Sequence, residues 1–417
     1  MNDHMQEGMA EATRLTRAGR LAEATATIQR TLGRTPTTNK SNEGFSSAES
    51  PIDAEFHVID DSRPSMETSE WRMAPRKGTP TRRSPVHPAA ALSMLTPDAL
   101  RLPGSLGGAG GHRRSFTSEV VPSSVSEGGQ FVDGTYTNTA GTRAYKLYIP
   151  SGYTGQALPL VVMLHGCTQT PVDFANGTRM NVLAERGMFL VAYPEQETSA
   201  NGSKCWNWFK VADQQRGAGE PSLIAEITQQ IMRSYYVDAS RVYVAGLSAG
   251  GAMAAILAAT YPDLYTAVGV HSGLAYGSAH DLHSAFAAMK QGASQYKRQF
   301  ARAIPTIIFH GDRDTTVATV NADIMLDQCL QVADGGSGTM RIHAQDATVH
   351  RGQAAGGHTY TRFIYHDASG LVIVEKWIIH KAGHAWSGGN PGGSFTDPKG
   401  PDASAEMIRF FTQHAKR

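Results

Sequence analysis

The sequence predicts an α/β fold in which a mostly parallel central sheet carries helices on both faces. Short, continuous apolar runs of the kind found in buried strands recur after residue 130, and segments with helical periodicity separate them. Strands that alternate with helices form parallel sheets, because a parallel connection needs a crossover that a helix supplies. The chain has 417 residues, of which 41% are hydrophobic and 18% charged. It therefore has enough apolar side chains for a large core.

The individual elements follow from these runs in order along the chain. The first segment alternates like a half-buried strand, and the next four are continuously apolar. The predicted strands are Arg143–Ile149, Leu158–Leu164, Phe189–Tyr193, Val242–Ala245, Thr306–Phe309 and Val372–Ile379. The clearest helices between them are Ser222–Tyr235, with Ser222 as the expected N-cap, and Ala249–Thr260.

The N-terminal third of the chain has a different texture. In residues 1–36, Leu21, Ala24, Ile28 and Leu32 recur at steps of three and four, which predicts a short helical hairpin with a turn near Gly19. Residues 37–130 are rich in Ser, Thr, Pro, Gly and Arg, as flexible linkers are. We therefore expect a hairpin, a linker and a folded domain over 131–417. The hairpin is a candidate for docking on a partner or on a polymer surface.

Composition excludes several classes of function. Lys and Arg total 38 against 37 Asp and Glu, a net charge of +1, so the chain has no general attraction to nucleic acid. No apolar run approaches the roughly 20 residues that span a bilayer. The N-terminus lacks the basic and apolar regions of a classical secretory signal. Three cysteines without CxxC spacing predict no zinc site.

The stretch from Arg241 to Met253 contains G-x-S-x-G around Ser248, between a predicted strand and an Ala-rich helix. A nucleophilic serine in such an elbow needs small neighbours, because the strained turn brings other backbone close to it. Gly246 and Gly250 meet that need. The amides at the start of the helix also favour negative charge beside the serine. We predict that Ser248 is a catalytic nucleophile.

A serine hydroxyl needs a base, and the base needs a carboxylate that fixes its tautomer. In this arrangement the chain order is Ser, acid, His. After the strand Thr306–Phe309, the sequence His310-Gly-Asp-Arg-Asp places Asp312 and Asp314 at the carboxyl end of a strand, where the sites of open sheets lie. The residues alone leave the choice between these two aspartates open.

Several histidines after the acid compete for the role of base. They are His343, His350, His358, His366, His380 and His384. Position favours His384, because it lies in a glycine-rich loop beyond the strand Val372–Ile379 and can reach the elbow. His380 stands at the strand end itself, as a structural residue would, and the others are expected to be ordinary strand or surface histidines.

The oxyanion of acyl transfer needs two backbone amides, one directly after the nucleophile and one from a loop after an earlier strand. The strand Leu158–Leu164 leads into His165-Gly166-Cys167, which supplies such a loop. We predict that the amides of Ala249 and Cys167 are the donors.

Three tryptophans are candidates for a hydrophobic wall against the acyl group of a substrate. Trp206 and Trp208 lie in Cys205-Trp-Asn-Trp-Phe209, and Trp386 lies two residues beyond His384. Because tryptophan is more often a core residue, the alternative is that they only support the fold.

Together these motifs resemble the polyhydroxybutyrate depolymerase family of esterases, in the α/β-hydrolase superfamily. The resemblance runs from about Thr135 to His414, with all motifs in family order. The motifs are Leu164-His-Gly-Cys-Thr-Gln169, Cys205-Trp-Asn-Trp-Phe209, Gly246-Leu-Ser-Ala-Gly-Gly-Ala252, His310-Gly-Asp-Arg-Asp-Thr-Thr-Val317 and Gly383-His-Ala-Trp-Ser-Gly388. It implies an α/β-hydrolase fold and selects Asp314 as the triad acid. It also implies a disulfide between Cys167 and Cys205, which leaves Cys329 as a free thiol.

The resemblance implies a serine esterase that hydrolyses poly- or oligo-3-hydroxybutyrate through an acyl-enzyme, without a cofactor. Feruloyl and acetylxylan esterases look similar over the same motifs and are the alternative. A non-enzymatic alternative is an adaptor that works through the hairpin. No substrate-binding module is visible, so we expect soluble, short-chain esters as substrates. The implied disulfide favours an extracellular location, and the missing signal keeps a cytoplasmic one as the alternative.

Overall fold

The computed structural model describes residues 58–60, 128–293, 300, 302–333, 339–341, 347–367 and 369–416. The expected hairpin over 1–36 and most of the expected linker lie outside these residues. Inside the linker segment, Val58–Asp60 forms a short strand, β1. The next strand begins at Gln130, one residue before the boundary expected from the sequence.

The strands alternate with helices along the described chain, as the sequence predicts. After β1 the strands are β2 Gln130–Asn138, β3 Gly141–Ile149, β4 Leu158–Leu164, β5 Leu190–Pro194, β6 Val237–Leu247, β7 Ala267–His271, β8 Thr306–Gly311, β9 Gln331–Ala333, β10 Thr339–Arg341, β11 Thr348–Gln353, β12 Thr359–His366, β13 Val372–Ile379, β14 Trp386–Ser387 and β15 Thr396–Asp397. The helices are α1 Pro171–Thr178, α2 Met180–Gly187, α3 Gly219–Ser234, α4 Ala249–Thr260, α5 Leu282–Gln291, α6 Val320–Leu330 and α7 Ala403–Thr412, and Val211–Gln214 forms a 3₁₀ turn.

Eleven strands form one mixed sheet in the order β1-β11-β12-β13-β8-β7-β6-β4-β5-β3-β2. The six central strands, from β13 to β5, all run parallel. Toward the edges the pairing becomes antiparallel, between β5, β3 and β2 on one side and between β13, β12 and β11 on the other. β1 adds to β11 in parallel. The prediction of a mostly parallel sheet therefore holds for the centre, and the fold is α/β-hydrolase-like.

Alternation of side chains along the central strands produces two cores, one on each face of the sheet. In β4, Leu160 and Val162 point into one core, whereas Val161 and Met163 point into the other. Residues of α3 to α6 belong to the first core and residues of α1, α2 and α7 to the second. Helices on both faces explain why central strands such as β4 and β5 are continuously apolar.

The start of α3 differs from the prediction. Helix α3 begins at Gly219, so Ser222 lies in its first turn and is not the N-cap. The physical reason is that a carboxylate from outside the helix caps it: Asp213 accepts the Glu220 N–H at 2.7 Å. The Ser222 hydroxyl instead donates to the carbonyl of Gly219 at 2.7 Å. Helix α4, in contrast, begins at Ala249 and ends at Thr260 as predicted.

The predicted catalytic residues follow the carboxyl ends of neighbouring parallel strands. Ser248 follows β6, Asp314 follows β8 and His384 follows β13. In the sheet these strands occur in the order β13-β8-β7-β6, with only β7 between the nucleophile strand and the acid strand. The sheet therefore brings three residues from distant parts of the chain together at the carboxyl ends of its central parallel strands.

Candidate active site

Ser248 occupies a strained turn between β6 and α4. Its φ is 57° and its ψ is −119°, a combination that costs a non-glycine residue about 1–3 kcal/mol. The turn is held because the Ser248 N–H donates to the carbonyl of His271 at 2.9 Å. The side chain is half-buried. This geometry is that of a nucleophile elbow.

The two glycines that flank the serine are required by close backbone approach. A Cβ on Gly246 would lie 2.4 Å from backbone atoms of Gly250, and a Cβ on Gly250 would lie 2.1 Å from the carbonyl oxygen of Leu164. Neither neighbour is a flexible side chain that moves aside. The sequence-based reason for small residues at these positions is therefore confirmed.

His384 and Asp314 form a close pair. The Nδ1 of His384 lies 2.6 Å from Oδ2 of Asp314. The carboxylate is fully buried and the imidazole is nearly so. Because a carboxylate only accepts, Nδ1 carries the proton and donates it, which leaves the lone pair of Nε2 available.

The carboxylate of Asp314 is held ionised by its surroundings. Its Oδ1 accepts the N–H groups of Thr316 at 2.9 Å and Val317 at 2.8 Å. Burial acts to raise the pKa of Asp314, but the hydrogen bond to His384, the charges of His384 and His310 and the Val317 amide outweigh it, so the pKa lies below its ordinary value.

The geometry separates the two aspartates that the residue pattern leaves equivalent. Asp312 contacts His380, with Oδ2 3.0 Å from Nδ1, and accepts the Lys381 N–H at 2.6 Å. Nε2 of His380 is also occupied, 2.8 Å from the Thr361 hydroxyl. Asp312 thus fixes the start of the loop that carries His384, whereas only Asp314 contacts His384 itself.

The competing histidines have other surroundings. His350 lies in β11 and His366 ends β12. His358 is 2.9 Å from Asp397. His343 lies outside the described residues. Among the described residues, Ser248 and His384 share no hydrogen bond. The strands that precede them, β6 and β13, bring both residues to the carboxyl end of the parallel strands.

The loop His165-Gly166-Cys167 passes directly beside the serine. A Cβ on Gly166 would lie 3.5 Å from the Cβ of Ser248. The loop is fixed by Gln169, whose Oε1 accepts the Gly166 N–H at 2.9 Å and whose Nε2 donates to Asp173 at 3.0 Å. Ala249, the first residue of α4, has an amide with no acceptor inside the helix. Both predicted donors, the amides of Cys167 and Ala249, thus belong to segments next to Ser248.

A disulfide joins Cys167 to Cys205, 38 residues further along the chain, and Cys329 is a buried free thiol. The pairing implied by the resemblance is confirmed. The bridge attaches the His165–Cys167 loop to the Cys205–Phe209 segment.

A buried carboxylate that the sequence analysis missed holds the Cys205–Phe209 segment. Glu220 accepts the backbone N–H and the side-chain amide of Asn207, both at 2.6 Å, and lies 3.5 Å from Arg143. Burial, followed by the charge of Asp213, raises the pKa of Glu220. Its partners come from other strands and loops, so no local sequence pattern signals them.

The three predicted tryptophans are buried in the two cores of the domain. Trp206 is fully buried and donates its indole N–H to the carbonyl of His165 at 3.1 Å. Trp386 is also buried and donates to Ser404 at 3.0 Å. Trp208 belongs to the same core as Trp206, with a small exposed fraction of 6%, whereas Trp386 belongs to the other core. They support the loops of the site, and their contact with a substrate stays a prediction.

The chain is similar in sequence to a known family of esterases. Residues 143–347 match the family described as "Esterase PHB depolymerase". This part of the chain is similar to that family. The match includes Ser248, Asp314 and both disulfide cysteines, and His384 lies beyond it.

Individual esterases are similar to the chain over shorter parts of their length. The chain is 33% identical over 260 residues to "Poly(3-hydroxyalkanoate) depolymerase C" of Paucimonas lemoignei, which covers 60% of this chain and 59% of that protein. It is 39% identical over 118 residues to "Feruloyl esterase B" of Neurospora crassa, which covers 28% of this chain and 39% of that protein. The chain thus spans less than two thirds of either relative.

One solved structure to which the chain is similar is an acetyl xylan esterase from Aspergillus awamori. It is 21% identical, covers 68% of this chain and 99% of its own, and superposes with a TM-score of 0.49.

Two further observations concern binding. No helix in the described ranges is long and apolar enough to cross a membrane. Within the same residues, no group of three or more His, Cys, Asp or Glu side chains is arranged to hold a metal ion.

Proposed function

We propose that this chain is a serine carboxylic ester hydrolase that acts on 3-hydroxyalkanoate esters through an acyl-enzyme. The observation that carries the proposal is the pairing of a strained Ser248 elbow with the 2.6 Å His384–Asp314 contact at the same edge of the sheet. The match of residues 143–347 to the depolymerase family supports it.

In the first half of the reaction, the hydroxyl oxygen of Ser248 attacks the ester carbonyl while Nε2 of His384 takes its proton. The charge on the imidazolium is balanced by the buried carboxylate of Asp314. The amides of Cys167 and Ala249 donate to the oxyanion. When the tetrahedral intermediate collapses, His384 returns the proton to the leaving alcohol.

In the second half, water replaces the alcohol. His384 removes a proton from the water, whose oxygen attacks the acyl-enzyme, and the same oxyanion donors act again. Ser248 recovers its proton and the carboxylic acid leaves. Every proton in this cycle moves between groups of the chain and the reactants, so the cycle needs no cofactor.

The distribution of exposed apolar side chains supports an apolar polyester or oligoester as substrate. Among the described residues, eight large hydrophobic side chains are exposed. Six follow the carboxyl ends of parallel strands, in the loop or in the first two turns of the next helix, and two directly precede strands at the opposite edge. The six are Val172, Val211, Leu282, Phe286, Val320 and Phe395, and the two are Tyr236 and Leu371. The apolar surface is thus concentrated on the side of Ser248.

The similarity to a feruloyl esterase supports the second candidate, hydrolysis of feruloyl or acetyl esters on polysaccharide. The two candidates share every catalytic group, so they differ only in the acyl group that the site accepts.

A substrate panel tests the proposal. We expect turnover of p-nitrophenyl butyrate and of 3-hydroxybutyrate oligomers to exceed that of methyl ferulate and acetylated xylan. Ser248→Ala removes only the nucleophile and should abolish all hydrolysis with the fold retained. Retained turnover in Ser248→Ala would contradict the nucleophile assignment, and preferential turnover of ferulate would favour the second candidate.

A further inference from the structure

His271, the last residue of β7, is buried between two parts of the site. Strand β7 lies between β6, which ends at the nucleophile, and β8, which is followed by Asp314. The backbone carbonyl of His271 accepts the Ser248 N–H at 2.9 Å. The backbone of His271 thus holds the elbow.

The imidazole of the same residue contacts the loop of the base. Its ring stacks between Phe309, with centroids 5.7 Å apart, and Trp386, with centroids 5.1 Å apart. Its Nε2 accepts the N–H of Ser387 at 3.0 Å. Ser387 lies only three residues beyond His384.

The hydrogen bonds define the protonation state of this ring. A backbone N–H can only donate, so Nε2 of His271 carries no proton. Nδ1 then carries it and donates to the hydroxyl of Ser272 at 3.2 Å. Burial, followed by the charges of His310 and His384, lowers the pKa of His271 to about 3, so the neutral ring persists at ordinary pH.

The loop between β13 and β14 is consequently fixed at both ends. Asp312 holds its beginning through His380 and the Lys381 N–H. His271 holds its end through the Ser387 N–H. His384 lies between these two anchors, and the second anchor belongs to the residue that also holds the nucleophile.

We propose that His271 is a positioning residue that sets the distance between Ser248 and His384, by holding the elbow with its carbonyl and the base loop with its ring. This inference rests on the function proposed above. It assigns no chemical step to His271, whose effect acts through the two reacting groups.

Two substitutions of His271 test separately the hydrogen-bond acceptor at Nε2 and the packing of the aromatic ring. His271→Gln places an amide oxygen near the position of Nε2 and keeps an acceptor for Ser387. His271→Phe keeps the stacked ring and loses the acceptor. Tyr243→Phe is the matched control, because it removes a buried hydrogen bond from β6, the 2.7 Å contact with the carbonyl of His414, without touching either loop.

We expect His271→Phe to lower kcat for p-nitrophenyl butyrate about 10- to 100-fold, with KM within about twofold, because small displacements of reacting groups have effects of this size. His271→Gln should restore most of the rate, and Tyr243→Phe should keep it. The rate at which a small fluorophosphonate labels Ser248 should fall in parallel with kcat. The inference is wrong if His271→Phe and His271→Gln lower kcat equally. It is also wrong if all three variants lose thermal stability and keep the wild-type kcat.

A second variant and a spectroscopic measurement cover the other outcomes. If His271→Phe does not fold, Ser272→Ala, which removes the acceptor of Nδ1, should lower kcat about threefold or more at constant KM, and an unchanged kcat overturns the inference. If the wild-type chain hydrolyses no ester, the proposed function is wrong, but the role of His271 can still be tested. The downfield proton signal of the His384–Asp314 hydrogen bond should still shift in His271→Phe and not in His271→Gln, and equal spectra would overturn the inference.

Discussion

At the scale of single residues, Asp312 and Asp314 show how two identical side chains, two positions apart, acquire different roles. Asp314 contacts the imidazole of His384. Asp312 contacts His380 and Lys381, which begin the loop that carries His384. The residue pattern alone could not separate them, because both follow the same strand. The family resemblance favours Asp314 as the acid, and its contact with His384 supports that prediction.

Asp314→Asn should therefore lower kcat by about 10⁴-fold, because the amide presents the wrong hydrogen-bonding group to Nδ1. Asp312→Asn keeps an acceptor for Lys381 and should cost no more than about tenfold. Turnover of p-nitrophenyl butyrate, with circular dichroism as the test of folding, measures both. The opposite ranking would mean that Asp312 is the acid.

Four buried histidines, His165, His271, His310 and His414, should make stability depend on pH, because burial lowers the pKa of each. Burial lowers the pKa of His165 to about 4 and contributes most to lowering that of His271 to about 3, against 6.5 as the ordinary value. Below pH 6.5 the unfolded chain takes up protons that the folded chain refuses, so stability falls as pH falls toward 4. Each histidine contributes a slope of up to about 1.4 kcal/mol per pH unit.

Urea unfolding at pH 7, 6 and 5 measures this slope. His271→Gln removes one of these four groups and should make the dependence on pH shallower, whatever its effect on stability at pH 7. A free energy of unfolding that stays constant between pH 7 and 5 would contradict the neutral state of these rings. Asp314, whose folded pKa is depressed, adds a loss in the same direction at lower pH.

At the scale of elements, strands were easier to predict than the contacts that hold the site. β4 and β13 have the predicted bounds. β4 is apolar throughout, as strands with helices on both faces are. β13 is apolar at both ends, around Glu375 and Lys376. The start of α3 was missed because its capping carboxylate, Asp213, lies outside the helix. Glu220 and His271 were missed for the same kind of reason: their partners lie far away in the sequence.

The disulfide connects two of these elements, and its loss should affect both stability and catalysis. Closing a loop of 38 residues stabilises the fold by about 4 kcal/mol in the chain-entropy model. Because Cys167 is also a proposed oxyanion donor, the double variant Cys167→Ser, Cys205→Ser should lose turnover at temperatures where it is still folded.

Thermal unfolding and kcat, measured with and without reductant, check this expectation. Cys329→Ala is the control, since it lacks only the free thiol and should respond to reductant like the wild type. A double variant with wild-type kcat would show that the bridge does not position the oxyanion loop.

At the scale of the whole molecule, the division into hairpin, linker and catalytic domain stays a prediction. All proposed catalytic residues lie between Cys167 and His384. A shortened chain that begins at Gly128, just before β2, should therefore fold and hydrolyse soluble esters at the wild-type rate. It loses β1, so the edge of β11 becomes unpaired and association is the expected side effect.

Turnover of p-nitrophenyl butyrate and of polymer particles by the full and shortened chains tests this division. Loss of particle hydrolysis alone would identify the N-terminal third as a targeting element. Loss of all activity, or failure to fold, would contradict the modular organisation.

The order of strands in the central sheet has a consequence for refolding. The proposed nucleophile, acid and base are supplied by β6, β8 and β13, and the acid and the base are 70 residues apart in the chain. Such contacts close late, because long loops must be ordered first. A refolding intermediate that has only the β4-β6 half of the sheet possesses the elbow but no base. The time course of esterase activity after dilution from denaturant therefore reports when the last of these strands joins the sheet. Activity should return later than the helical circular dichroism signal.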